Sequence, residues 1–179
     1  MAEGRPLETY LGLLLADQNA ELAAAHDELY PDRVTEHIPL SITLLYPFAA
    51  PAEVDRYRDE IREFFASYEP FDLELARLEQ WEESGAVYAA PEPEQPLRDL
   101  MRALWRRFPD FPPYGDADGD PPPHASLTWR TDEPEETRRR VEARLDGLLP
   151  ARFRIAEVAL MEEFEPDRFR VRETFRLGT

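Results

Sequence analysis

The segment Ser41-Ile42-Thr43-Leu44-Leu45-Tyr46-Pro47 returns later in the chain, in nearly the same chemical form, as His124-Ala125-Ser126-Leu127-Thr128-Trp129-Arg130. Side chains of a strand alternate between faces, so each copy turns its large apolar residues to one side. These are Ile42, Leu44 and Tyr46 in the first copy and Ala125, Leu127 and Trp129 in the second, all expected in the core. The opposite faces carry Ser41 and Thr43, and His124, Ser126, Thr128 and Arg130. A chain with this strand twice is expected to build two related units whose polar faces line a common space. Only one copy brings a histidine.

The surrounding elements repeat with it. Thr9 to Ala16 reads as a buried strand, and Asp17 as the N-cap of a helix from Asn19 to Tyr30 with Leu22, Ala25 and Leu29 on one face. The strand Ser41 to Phe48 precedes a helix with Val54, Tyr57, Ile61, Phe64 and Tyr68 at helical spacing, then strands over Phe71 to Leu75 and Ala86 to Ala90. Downstream, the strand His124 to Arg130 leads to a helix begun by Pro134, with Thr137, Val141, Leu145 and Leu148 on its apolar face. Phe153 to Leu160 reads as one strand whose alternation slips near Glu157, as at a bulge, and a last strand carries Phe169, Val171, Phe175 and Leu177. Both halves run strand, helix, strand, strand. Between them lie a helix from about Pro96, with a core stripe of Leu97, Leu100, Met101, Leu104, Trp105 and Phe108, and a loop, Pro109 to Pro123, rich in proline, glycine and aspartate.

Composition removes whole classes of chemistry. The net charge of −17 argues against a general grip on long nucleic acid, which needs many basic contacts to phosphate. Cysteine is absent and all 21 basic residues are arginine, so disulfides, thiolate nucleophiles and lysine chemistry are excluded. With 42% hydrophobic residues and no long apolar run, the chain reads as a soluble cytoplasmic protein without a membrane span or secretory signal. The Asp116 to Asp120 run lacks the spacing and closing glutamate of a calcium loop, and no metal site is expected.

These features together resemble the two-histidine (2H) phosphoesterase superfamily, particularly its bacterial 2′-5′ RNA ligase and cyclic phosphodiesterase branch. The likeness runs from about Thr9 to Leu177 and includes Ile42 to Phe48, Pro70-Phe71-Asp72, Pro91-Glu92-Pro93, Pro112 to Gly115 and Pro123 to Leu127. It implies an α+β fold, a duplicated strand-helix-strand-strand unit with two antiparallel-rich sheets flanking a central cleft and helices outside. We expect one two-lobed domain over 1–179, with lobes of about 7–92 and 93–179 and terminal elements free to cross between them.

In that family each lobe contributes a His-x-Thr/Ser strand, and the two histidines act as acid and base on a phosphodiester or 2′,3′-cyclic phosphate, without metal or cofactor. The resemblance assigns His124 to the second histidine, Ser126 to its hydroxyl partner and Thr43 to the hydroxyl partner of the first. Ser41 stands where the first histidine is expected, and serine cannot exchange a proton near pH 7 as imidazole does. His37, four residues upstream, is the speculative substitute. Arg130 and Tyr114 are candidate substrate contacts, through a phosphate or a stacked base, whereas His26 and the arginines of the last strand read as structural. The expected partner is a small nucleotide or an RNA 3′ end, met by a monomer. Three functions remain open at this level, the first two being hydrolysis or transfer at a 2′,3′-cyclic phosphate or 2′-5′ linkage with an incomplete histidine pair, and a degenerate site that binds nucleotide or phosphate without turnover. A cleft turned to unrelated chemistry or a protein partner is the third.

Overall fold

Residues 4–178 are described by a computed structural model. Eight strands form two four-stranded sheets in which every paired neighbour is antiparallel. The strands are β1 (Thr9–Leu14), β2 (Ser41–Leu45), β3 (Phe71–Gln80), β4 (Val87–Glu92), β5 (Ala125–Ser126), β6 (Ala151–Ile155), β7 (Glu157–Glu165) and β8 (Arg168–Arg176). The helices are α1 (Ala20–Leu29), α2 (Pro31–Glu36), α3 (Arg58–Ala66), α4 (Glu94–Arg107) and α5 (Pro134–Arg144). The sheet orders are β2-β1-β7-β8 and β5-β4-β3-β6. No helix among the described residues is long and apolar enough to cross a membrane.

Both sheets follow one plan. An edge strand carrying the repeated segment (β2 or β5) pairs with the strand that precedes it across a helix (β1 or β4), and a long strand from elsewhere in the chain (β7 or β3) lies beyond. Each sheet thus mixes strands from both halves, and a boundary near residue 92 does not separate them. The spatial repeat starts at β1 and at β4. The expected single strand over Phe153 to Leu160 is two: β6 pairs with β3 in one sheet and β7 with β1 in the other. The slip in alternation therefore marks a change of sheet at Ala156, where Leu177 N–H donates to the Ala156 carbonyl at 2.9 Å, rather than a bulge.

Strand pleating sorts the core. Leu11 and Leu13 of β1 join Ile42 and Leu44 of β2, Leu73 and Leu75 of β3, and Val87 and Ala89 of β4 in one apolar cluster. The helices contribute Leu22 and Ala25, Ile61 and Phe65, Leu97 and Leu104, and Val141 to the same cluster. The other face of β1 turns Tyr10 into a second, smaller cluster with Ala159, Met161 and Phe169, against which Leu14, Ile38 and Tyr46 pack. Two local expectations change. Asn19, not Asp17, caps α1, accepting from Leu22 N–H at 3.0 Å. The short α2, which begins on Pro31 and carries no long apolar stripe, is an element that the hydropathy pattern does not show.

A buried carboxylate ties the start of the chain to this frame. The Glu163 side chain is fully buried and accepts from Arg5 Nη1 at 3.0 Å, Arg5 Nη2 at 2.5 Å, Glu8 N–H at 3.0 Å and Asp167 N–H at 2.6 Å. A desolvated charge stripped of its counter-ion is costly, so Arg5→Ala is expected to destabilise the fold by about 3 kcal/mol in urea unfolding. A loss below about 1 kcal/mol would show that the two backbone donors suffice.

Candidate functional site

The two repeated strands are the edges at which the sheets approach each other, with Cα atoms of β2 and β5 within 8 Å. In β2, Ile42 and Leu44 are buried while Ser41 and Thr43 are half-buried, facing Leu14 and Gly12 of β1 in the ladder. In and beside β5, Ala125 and Leu127 are buried while His124 and Ser126 are half-buried, Ser126 standing opposite Tyr88. The structure therefore puts Ser41, Thr43, His124 and Ser126 on the non-core faces of neighbouring edges. Among the described residues the hydroxyls of Thr43 and Ser126 hold no side-chain hydrogen bond and are available as donors.

His124 is set for one task. Its Nδ1 lies 2.7 Å from the Pro122 carbonyl, which can only accept, so Nδ1 carries the proton and Nε2 keeps its lone pair. Trp81 and Tyr88 meet the ring edge-on at centroid distances of 5.2 and 5.6 Å, and Tyr114 stacks over it at 6.4 Å. Burial among these rings lowers its pKa below the usual 6.5, and the bond to Pro122 only partly offsets this. The imidazole is neutral at pH 7 and can accept a proton at Nε2.

Tyr114 joins the proline-rich loop to both edges. Its N–H donates to the Tyr46 carbonyl at 2.6 Å, and its ring lies 6.1 Å from that of Tyr46 and 6.4 Å from His124. A tyrosine at φ 52 is held in a disfavoured backbone region, which these contacts over-determine. The residue is 49% exposed, and desolvation of the phenol pushes its pKa up to about 12, so it stays a neutral donor. Tyr46 in turn donates to Glu8 Oε2 at 2.6 Å, linking the site to the Arg5–Glu163 network.

Several residues lie elsewhere than the alternation places them. The β1–β2 ladder shifts register between Leu11 and Gly12, so that Leu44 is an extra residue, Leu44 and Leu45 are both buried, and Tyr46 swings to the face of Thr43 and Tyr10. β5 ends at Ser126, because Leu127 and Thr128 N–H both turn to the Val87 carbonyl and Thr128 Oγ1 accepts from Val87 N–H. Trp129 is consequently 61% exposed and stacks on Tyr30 at 6.3 Å instead of entering the core. Arg130, past the same turn, is exposed beside a small hollow of about 210 Å³ between Tyr30 and α5, and does not share a strand face with His124.

His37, the speculative substitute, lies away from Ser41. It ends α2 with φ 59, places Nε2 3.3 Å from Arg168 Nη2, and packs 6.2 Å from the Phe164 ring. Those partners belong to β7 and β8, on the far side of β1 from Ser41. His26 is buried in α1 with Nδ1 2.9 Å from Asp27 Oδ1. Arg170 and Arg172 pair with Glu162, and Arg168 with Glu165. Asp120 is held by Arg102 and Arg98, and among the described residues no cluster of three or more His, Cys, Asp or Glu is placed for a metal ion. Tyr88 and Trp81 are the site residues that sequence reading missed. The clue for Tyr88 is its place one pleat out of register with buried Val87 and Ala89.

Comparison with known proteins agrees with this architecture. A crystal structure of TT0787 from Thermus thermophilus superposes with a TM-score of 0.66 at 18% identity, covering 95% of this chain and 97% of that one. A crystal structure of a phosphoesterase gives 0.59 at 18% identity, covering 98% and 100%. Escherichia coli LigT in its apo form gives 0.59 at 16% identity over 98% and 100%, and it has also been crystallised with 3′-AMP, covering the same shares at 17% identity and a TM-score of 0.52. No curated protein matches in sequence. The sequence profile of the 2′-5′ RNA ligase superfamily spans residues 15–165, which contain both repeated strands and every strand but β1 and β8, and the chain therefore belongs to the 2′-5′ RNA ligase superfamily.

Proposed function

We propose that this chain opens a 2′,3′-cyclic phosphate, on a nucleotide or an RNA 3′ end, by metal-independent hydrolysis with His124 as its single imidazole. The observation that carries the reading is the setting of that ring: Nδ1 bonded to Pro122 and Nε2 without a hydrogen-bond partner among the described residues, beside the hydroxyl-bearing edges. Nε2 takes a proton from the attacking water as its oxygen bonds to phosphorus. The P–O bond to one ribose oxygen breaks, and that oxygen is protonated from solvent, because Ser41 offers no acid near neutrality. Thr43 and Ser126 donate to the non-bridging oxygens, where charge grows in the transition state. Membership of the superfamily and the 3′-AMP complex of the similarly folded LigT support a small nucleotide as ligand. Ser41 favours one competing reading, a site that binds nucleotide without turnover.

The pH profile separates them. A two-histidine site gives a bell, whereas a lone base gives a rate that rises through the His124 pKa, below 6.5, and stays level above it. We expect that single-limbed profile with 2′,3′-cyclic nucleotides. Binding of 3′-AMP with no turnover at any pH would establish the binder, and a bell would reveal an acid outside this scheme.

A further inference from the structure

Tyr10 has a hydroxyl with no use in the fold. The residue is 4% exposed and its Oη is fully buried, yet it meets no hydrogen-bond partner among the described residues. A phenylalanine would pack against Phe169 at 5.4 Å and Tyr46 at 6.3 Å equally well and strand no donor. The ring leans over Gly12, whose missing side chain makes the room: a Cβ there would stand 3.3 Å from Tyr10 Cε2. Gly12 is the ladder partner of Thr43, and Leu14, one pleat on, is the partner of Ser41. The hydroxyl therefore belongs to the face of sheet one that carries both repeated-strand positions.

A cation lies over the same face. Arg33 of α2 sets its guanidinium 4.7 Å over the Tyr30 ring and donates to Glu36 Oε2 at 3.0 Å. Arg33 also lines a hollow with Ile38, Met161 and Phe169, which pack in one cluster with Tyr10. Burial keeps the Tyr10 phenol protonated, hence a donor.

We propose that Tyr10 Oη is a phosphate-oxygen ligand on the side of the cleft that lacks its imidazole, with Arg33 supplying positive charge beside it. This rests on the phosphoester reading above. Tyr10 replaces the binding half of the missing residue's work and none of its proton transfer, since a phenol with a raised pKa cannot act as base near pH 7. A bound phosphate oxygen is the partner that the fold itself does not supply to this donor.

Tyr10→Phe and Arg33→Met test it by calorimetric titration with 3′-AMP and with inorganic phosphate, alongside melting curves without ligand. Tyr10→Phe should bind both about tenfold more weakly, as loss of a hydrogen bond to a charged group implies, while melting at the native temperature or above. Arg33→Met should weaken both ligands and flatten the dependence of affinity on salt. Native affinity in Tyr10→Phe, or unchanged affinity with a lowered melting temperature, would overturn the assignment and leave the phosphoester reading standing. If the native protein binds neither ligand and turns over no cyclic nucleotide, both fail together.

Discussion

His124→Ala is expected to lower turnover of 2′,3′-cyclic nucleotides by about 10²- to 10⁴-fold, the usual contribution of one positioned acid or base. The loss should sit at the upper end of that range, because no other imidazole can take over. The chain has three histidines. His26 is buried in α1 against Asp27, and His37 is held by Arg168 and Phe164 on the far side of β1. Neutral tyrosines surround His124 but bind their protons too firmly: Tyr88 is shifted up by burial, and Tyr114 up to about 12. The hydroxyls of Thr43 and Ser126 survive the substitution, so affinity for 3′-AMP should change far less than turnover. Initial rates and titrations on one preparation make the comparison, with a melting curve to separate lost chemistry from lost fold. A variant that keeps the native rate removes His124 from the reaction and leaves only binding to be explained.

The repeated strand made much of this arrangement readable in sequence. Alternation in Ser41 to Leu44 and in His124 to Leu127 correctly put Ile42, Leu44, Ala125 and Leu127 in the core and left the serines, threonine and histidine half-exposed. It failed where the ladder itself changes. The extra residue at Leu44 flips every later side chain, which moved Tyr46 to the face of Thr43, and the inward turn of Thr128 onto Val87 exposed Trp129. Neither event has a local signature, since both depend on what the neighbouring strand offers as hydrogen-bond partners. The exchange of β7 into the first sheet shows only as a slip in periodicity at Glu157, a signal that a bulge and a change of sheet share. Tyr10 was hidden for a different reason. In an apolar run its side chain reads as core, and only the folded structure shows that its ring is core while its hydroxyl is not satisfied.

Ser41→His is the complementary result, a gain of about 10²-fold or more in cyclic-phosphate hydrolysis, together with conversion of the single-limbed pH profile into a bell. The backbone requirement is already met. Ser41 is paired with Leu14 in a regular stretch of the ladder, lies on the same face as Thr43, and is half-buried, so a longer side chain can rise from it without entering the core. Its imidazole would stand beside Leu14, while the Tyr10 ring lies over Gly12, one pleat away. Added there, a protonated imidazole can give its proton to the departing ribose oxygen, the step that the proposed mechanism leaves to solvent, while neutral His124 removes one from water. The descending limb of the bell then reports the new acid and the ascending limb remains that of His124. In the double variant carrying His124→Ala as well, the gain should vanish, because an acid without a base restores only half of the pair. A folded Ser41→His protein with native rate and an unchanged profile would mean that Ser41 does not face the reacting phosphate, and that this cleft has kept the ligand and not the reaction.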